Sequence, residues 1–255
     1  MIDALVLAGS PNNGALHTCS PVSYEALIPI NGKLMLDYVL EALRPCSRIG
    51  RIAIVGPRDE LAAHFNDGNN NTVLVEHGRE LTENVLLGLK HLPGAEQVLL
   101  LTSDIPLITT QAIEDFLDLC AGDDADLYYP IVAREEVEKR FQSAQRTYVQ
   151  LKEGVYTGGN ICLFKSAAME ECIPRGRKLV DARKNPLQLC RLVGFVFMIK
   201  FLMKSITLAE AQFMVSRLLG LQGRVVISRY PEVGVDVDKP SDLALVCNQL
   251  AGECC

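Results

Sequence analysis

Along the first half of the chain, short β-branched and leucine-rich runs alternate with segments whose apolar residues fall at helical spacing. This is the rhythm of βαβ units laid on a mainly parallel sheet. Strands are expected at Ala4–Leu7, Arg51–Val55, Thr72–Val75, Gln97–Leu101 and Asp126–Val132. Between them, Leu36, Val39, Leu40 and Leu43 repeat within Met35–Leu43, and Leu81, Val85, Leu89 and Leu92 repeat within Leu81–Leu92. Helices on both faces of the sheet make the expected fold class α/β, a three-layer αβα arrangement. From about Tyr148 the rhythm changes. Tyr148–Leu151 and Asn160–Phe164 read as two strands around a turn, followed by a nearly all-helical stretch from Pro186 to Leu219. Asn185 before Pro186 marks a helix start, and Thr207 with Glu210 has the spacing of a capping box. Arg224–Ser228 returns as a strand and Pro240–Leu250 closes the chain as a helix.

The chain has 255 residues, 49% of them apolar, enough to bury a core of its own. No repeat, low-complexity linker or shift in composition divides it, so 1–255 is expected to be one domain, with 148–255 building the second side of a cleft. A formal charge of −6 with no long Lys/Arg run argues against a protein that neutralises nucleic-acid phosphates. Tryptophan is absent and aromatics are sparse, which removes the usual stacking platform for unpaired bases. Small molecules are therefore the expected partners. The first residues enter an apolar strand at once, without the positive leader, long apolar run and small-residue cleavage site of a secretory signal, so export is not expected; Leu192–Met203 is too short to span a bilayer and reads as a buried helix. Nine scattered cysteines, an odd count with no CxxC pair, fit reduced thiols in a cytoplasmic protein.

Four segments carry candidate chemistry. The first strand ends in Leu7-Ala8-Gly9-Ser10 and opens into a polar loop, Pro11 to Ser23, where a glycine-rich strand exit lets backbone N–H groups approach a phosphate or base. A plain turn is the other reading, and neither a P-loop nor a dinucleotide fingerprint is present. The second is Leu101-Thr102-Ser103-Asp104-Ile105-Pro106, which puts a carboxylate at a strand end, where it can hold a hard cation or help to start the next helix. The third, Val235-Asp236-Val237-Asp238-Lys239-Pro240, places two carboxylates at i and i+2. Asp236 is favoured as a metal ligand, while Asp238 either joins it or caps the last helix. The fourth is Thr157-Gly158-Gly159-Asn160, whose glycines permit positive φ and whose Asn160 offers a donor and an acceptor to a sugar or polyol, or which is an ordinary hairpin turn.

In order and spacing these segments resemble the MobA-like nucleotidyltransferases, within the nucleotide-diphospho-sugar transferase superfamily. The resemblance rests on Leu7-Ala8-Gly9, Ala26-Leu27-Ile28-Pro29-Ile30-Asn31-Gly32-Lys33, Asp104, Gly158-Gly159-Asn160, and Asp236 with Asp238 before Pro240-Ser241-Asp242-Leu243, and it covers nearly the whole chain. It implies a glycosyltransferase-A-like fold and transfer of an NMP from an NTP to a phosphorylated small-molecule acceptor, releasing pyrophosphate. It further implies Mg²⁺ held by Asp104 and Asp236, base or ribose sensing near Glu83, Asn84 and Gly88, a nucleotide-binding half over 1–147 and an acceptor-binding half over 148–255.

One departure bears on catalysis. The resemblance implies an arginine in the first loop and a lysine before Ala26, yet no Lys or Arg occurs from Met1 to Gly32, and position 25 is Glu25. The triphosphate charge is then left to Lys33 or to a later cation such as Arg146, Lys152, Arg183 or Lys184, with Arg183 and Lys184 placed on the acceptor side; otherwise turnover is absent. Two rival readings follow. One is a nucleotide-binding sensor on the same fold, for which Glu25 is the main argument. The other is a flavodoxin-like flavin reductase, faintly suggested by Gly9-Ser10-Pro11-Asn12-Asn13-Gly14. Against it, helical spacing resumes only near Leu36 rather than directly after the loop.

Overall fold

A computed structural model describes residues 1–64, 71–182 and 192–252. Strand β1 (Ile2–Leu7) lies between two parallel neighbours, β4 (Ile49–Gly56) and β6 (Gln97–Thr102), and β4 in turn pairs in parallel with β5 (Thr72–Glu76). Each strand returns through a helix: α1 (Met35–Leu43), α2 (Arg58–His64) and α3 (Leu81–Lys90). Side chains along β1 are buried on alternate faces of the sheet. Ala4 and Val6 face a core that includes Leu36, Val39, Leu40 and Leu43 of α1 and Ile113 and Phe116 of α4 (Thr110–Leu119). Leu5 and Leu7 face a second core with Val85 and Leu89 of α3. The sheet is thus covered on both faces and the three layers expected from the sequence are present. Leu81, in the first turn of α3, is exposed, so the helix meets the sheet only from Val85 onward.

The second half continues the same sheet with mixed directions. Strand β10 (Ile161–Lys165) runs antiparallel between β6 and the first residues of β7 (Leu127–Ala133). The upper part of β7 pairs with β9 (Gly154–Gly158), which forms a hairpin with β8 (Val149–Leu151), and on its other side β7 takes β11 (Gly223–Ser228) in parallel. The turn partner of β8 is β9 rather than the expected strand from Asn160, which as β10 pairs with β6 and β7 instead. Helix α5 (Arg134–Arg140) follows β7, α6 (Ser166–Ala182) follows β10, and α9 (Pro240–Gly252) packs Leu245 and Val246 into the first core.

Between α6 and β11 lie α7 (Phe195–Leu202) and α8 (Leu208–Leu219). The capping box opens α8 as expected: Thr207 Oγ1 accepts from the Glu210 N–H at 3.1 Å, and Glu210 Oε2 accepts from the Thr207 N–H at 3.0 Å. The expected helix start at Asn185 and Pro186 lies outside the described residues, as do Arg183 and Lys184. The expectation that Leu192–Met203 is a buried helix is corrected. Leu202 and Met203 are 75% and 71% exposed, because α7 ends at an outer corner that meets the sheet through the β8–β9 turn, where the Lys152 N–H donates to the Ile206 carbonyl. No helix among the described residues is long and apolar enough to cross a membrane.

Candidate active site

Parallel pairing of β1 with β6 brings their carboxyl ends together: the Ser103 N–H donates to the Leu7 carbonyl at 3.0 Å. Ala8 and Asp104 therefore leave adjacent strands at one end of the sheet, where open α/β sheets take their ligands. Asp104 does not start the following helix. That task belongs to Thr109, whose Oγ1 accepts from the Ala112 N–H at 3.1 Å, and Asp104 is left facing the sheet end. The Val237 N–H donates to the Asp104 carbonyl at 2.9 Å and draws the segment before α9 across it. As a result Asp104, Asp236 and Asp238 each offer a carboxylate oxygen within 4.8 Å of the others. Both aspartates of the i, i+2 pair reach the cluster, and Asp242, one helical turn on, accepts from the Asp238 N–H at 3.2 Å.

Three carboxylates at this separation form an all-oxygen donor set suited to a hard divalent cation, and without one they repel each other. Burial chiefly pushes the Asp104 carboxyl up to about 6, with a smaller push from the charges of Asp238 and Glu25, against the hydroxyl of Thr102, which donates to it. Glu25 lies in a 3₁₀ turn (Glu25–Leu27), its N–H bonded to the Ser10 carbonyl at 3.0 Å, and is close enough to act on Asp104. The site therefore has a fourth acidic group where the resemblance implies a lysine.

The floor beside the cluster is the exit of β1. Ala8 is fully buried, and its N–H donates to the Val55 carbonyl at 2.7 Å. Asn12 pins the polar loop by donating from Nδ2 to the carbonyls of Ser20 and Val22, both at 2.9 Å. Gly9 has no room for a side chain, since a Cβ would sit 2.9 Å from that of His77. His77 leaves β5 with Nε2 3.2 Å from the Tyr24 hydroxyl, and the two rings meet edge to face at 5.3 Å. Tyr24 and His77 wall this floor, and the sequence reading named neither; no spacing in the sequence links them.

Glu83 and Asn84 shape the neighbouring loop. Asn84 Oδ1 accepts from the Gly78 N–H at 2.6 Å, and Glu83 Oε2 from the Arg79 N–H at 2.8 Å. Gly88 sits on the sheet side of α3, where a Cβ would fall 2.1 Å from Leu5 Cδ1, so its missing side chain serves helix-to-sheet contact.

On the other side of the cluster, Asn160 donates its N–H to the Val233 carbonyl at 2.7 Å and accepts from the Thr102 N–H at 3.2 Å. Gly158 and Gly159 were expected to allow positive φ, and neither has it. They are glycines because Cβ atoms there would meet the Tyr129 hydroxyl at 2.3 Å and Pro130 Cγ at 2.8 Å. A cavity of about 260 Å³ lies here, lined by Thr147, Thr157, Gly158, Asn160 and Lys239 and bordered by Asp236 and Asp238. Of the candidate cations, Lys33 is half-exposed and held by Glu41 at 2.7 Å, and Arg146 is ion-paired with Asp236 and Asp242. Lys239 Nζ donates to Gln145 Oε1 at 3.2 Å beside the cavity.

The structure resembles a hypothetical transferase from Thermus thermophilus, with 37% identity over 95% of this chain and 99% of that one and a TM-score of 0.81. It also shares its fold with a 4-diphosphocytidyl-2C-methyl-D-erythritol synthase from Anaerococcus prevotii, at 12% identity, coverage of 98% and 96%, and a TM-score of 0.62. A nucleotidyl transferase from Methanothermobacter thermautotrophicus shares it too, at 14% identity, 99% coverage of both chains and a TM-score of 0.61. No curated protein matches the sequence. The family profile for the MobA-like NTP transferase domain matches residues 23–184, more than half of the chain. With its mixed, mostly parallel sheet between helical layers, the chain belongs to the MobA-like NTP transferase family, a family of nucleotidyltransferases.

Proposed function

We propose that the protein transfers an NMP group from a nucleoside triphosphate to a phosphorylated small-molecule acceptor, releasing pyrophosphate, with Mg²⁺ held by Asp104, Asp236 and Asp238. The observation that carries this reading is the meeting of those three carboxylates at the carboxyl ends of β1 and β6. A divalent cation there would screen the triphosphate and help to hold the reacting atoms in line. The exit of β1, Leu7 to Ser10, forms the nucleotide floor, with Tyr24 and His77 as its wall. The polar cavity between Asn160 and Lys239 receives the acceptor, and Lys239 meets its phosphate. An oxygen of that phosphate attacks the α-phosphorus, and the bond to the β-phosphate bridging oxygen breaks with its electron pair leaving on pyrophosphate. The attacking oxygen is already an anion at neutral pH, so no side chain has to remove a proton; the chain's contribution is orientation and charge. Residues 1–147 and 148–255 then act as the nucleotide and acceptor sides of one domain in a cytoplasmic protein. Lys33 is left out of the reacting set because Glu41 holds its ammonium.

Among the fold neighbours, a CMP:2-keto-3-deoxy-manno-octonic acid synthetase was solved with CTP (16% identity, coverage of 99% and 98%, TM-score 0.59), which supports a triphosphate as ligand without choosing the base. One observation favours a second reading, a nucleotide-binding sensor: the charge of Glu25 bears on Asp104, and a carboxylate there opposes phosphate. A thermal-shift screen of the four common NTPs with and without Mg²⁺ tests binding, and pyrophosphate release then separates the two readings. We expect a metal-dependent rise in Tm with one or two nucleotides, lost in Asp104→Ala. Stabilisation by none of the four would overturn both readings.

A further inference from the structure

We infer that Arg146 and Asp242 are positioning residues that hold Asp236 and Asp238 together for the cation, an inference that rests on the reading above. The Arg146 side chain is 6% exposed and that of Asp242 4%, deep burial for a charged pair. From one guanidinium, Nη1 pairs with Asp236 Oδ1, while Nη2 lies 3.0 Å from both the Asp236 main-chain oxygen and Asp242 Oδ2. The same Asp242 oxygen accepts from the Asp238 N–H at 3.2 Å, and between the two aspartates the Val237 N–H is bonded to the Asp104 carbonyl. Residues 236, 237 and 238 are thus each tied, and two of the three ties run through the buried pair.

The chemistry explains why an arginine is used. Burying an ion pair costs desolvation that well-packed apolar side chains would not, so stability alone is a weak reason for it. What the guanidinium adds is direction and charge. Its fork engages Asp236 Oδ1, so that Oδ2 would remain for a cation, and it offsets the repulsion that would drive Asp236 and Asp242 apart. Groups that orient metal ligands in this way contribute about 10- to 100-fold to affinity for the ion. A lysine at 146 keeps the charge but has a single ammonium to serve three acceptor oxygens.

The test is Mn²⁺ binding to the full chain, followed by electron paramagnetic resonance and referenced to folded protein measured by circular dichroism. Wild type, Arg146→Lys, Asp242→Asn and Asp104→Asn are compared, with Arg48→Lys as a control in the surface pair with Asp118. We expect about a 10-fold or greater loss of affinity in Arg146→Lys and Asp242→Asn and none in Arg48→Lys. In turnover, the metal concentration for half-maximal rate should rise by more than kcat falls. Wild-type affinity in both variants would overturn the inference while leaving the proposed function standing. Loss of fold in both would assign the pair to structure and overturn it as well. No Mn²⁺ bound by wild type, or binding undisturbed by Asp104→Asn, would instead sink the function on which it rests.

Discussion

Replacing Asp104 with asparagine should make the metal-free protein more stable, and by an amount that depends on pH. The Asp104 carboxyl is pushed from 3.8 to about 6, first by burial and then by the charges of Asp238 and Glu25. Folding therefore tightens its hold on a proton. The unfolded chain releases that proton as pH passes about 4, whereas the folded protein keeps it until about 6, so stability falls across this interval and stays lowered above it. At about 1.4 kcal/mol per tenfold change in proton affinity, the ceiling is about 3 kcal/mol. Asp104 is only partly screened from solvent, so about 1–2 kcal/mol is the working expectation. Asparagine keeps the shape and can still accept from the Thr102 hydroxyl, so only the charge is lost. Urea unfolding in chelator at a series of pH values reads the effect. The two proteins should unfold together near pH 4, and Asp104→Asn should pull ahead by pH 7. Added Mg²⁺ should then close or reverse the gap by stabilising wild type alone. A variant no more stable than wild type at pH 7 in chelator, or a gap independent of pH, would refute the argument.

Other perturbations test other parts of the structure. Gly88→Ala brings a Cβ within 2.1 Å of Leu5 Cδ1. Overpacking of about 1–3 kcal/mol should outweigh the gain of about 1 kcal/mol from alanine in a helix, and an unchanged urea midpoint would count against the packing role. Glu25→Gln removes a negative charge beside Asp104 and should strengthen triphosphate binding several-fold by calorimetry; weaker binding would move Glu25 away from the nucleotide. Thr207→Ala removes the cap of α8 and should cost about 1 kcal/mol in unfolding experiments. Burial pushes the thiols of Cys120 and Cys162 up to about 12, so in peptide mapping at pH 8 the exposed Cys19 should be alkylated well before either.

The parallel half of the fold was legible because its signals are local. Ala4–Leu7, Gln97–Leu101 and the α1 spacing each name their own partner faces, and Asp104 and Asp236 mark strand ends and turns that the chain itself punctuates. What escaped depends on contacts across the sheet. Helix α6 contains Pro174 and Gly176, residues that argue against a helix interior, yet it packs along β10 and continues. The Asn31-Gly32 pair, with φ of 49° and 87°, closes the short hairpin of β2 (Pro29–Ile30) and β3 (Lys33–Leu34), a turn signal overshadowed by the helix that follows it. Gly158 and Gly159 have the right residue type for a reason other than the expected one, since Tyr129 and Pro130 are neighbours only in space. Arg146 offered a cation to the eye, but its partners stand 90 and more positions away, and nothing in its own segment points to them.

The division of the carboxylates between position 104 and positions 236 and 238 also has a consequence during synthesis. A ribosome releases β1, β4, β5 and β6 long before it has made the segment that crosses Asp104. A nascent chain that holds only these strands carries Asp104 alone of the three clustered carboxylates, so the proposed cation site would still be incomplete. On the proposed reading, metal and triphosphate would find a complete site only once the segment before the last helix has been made.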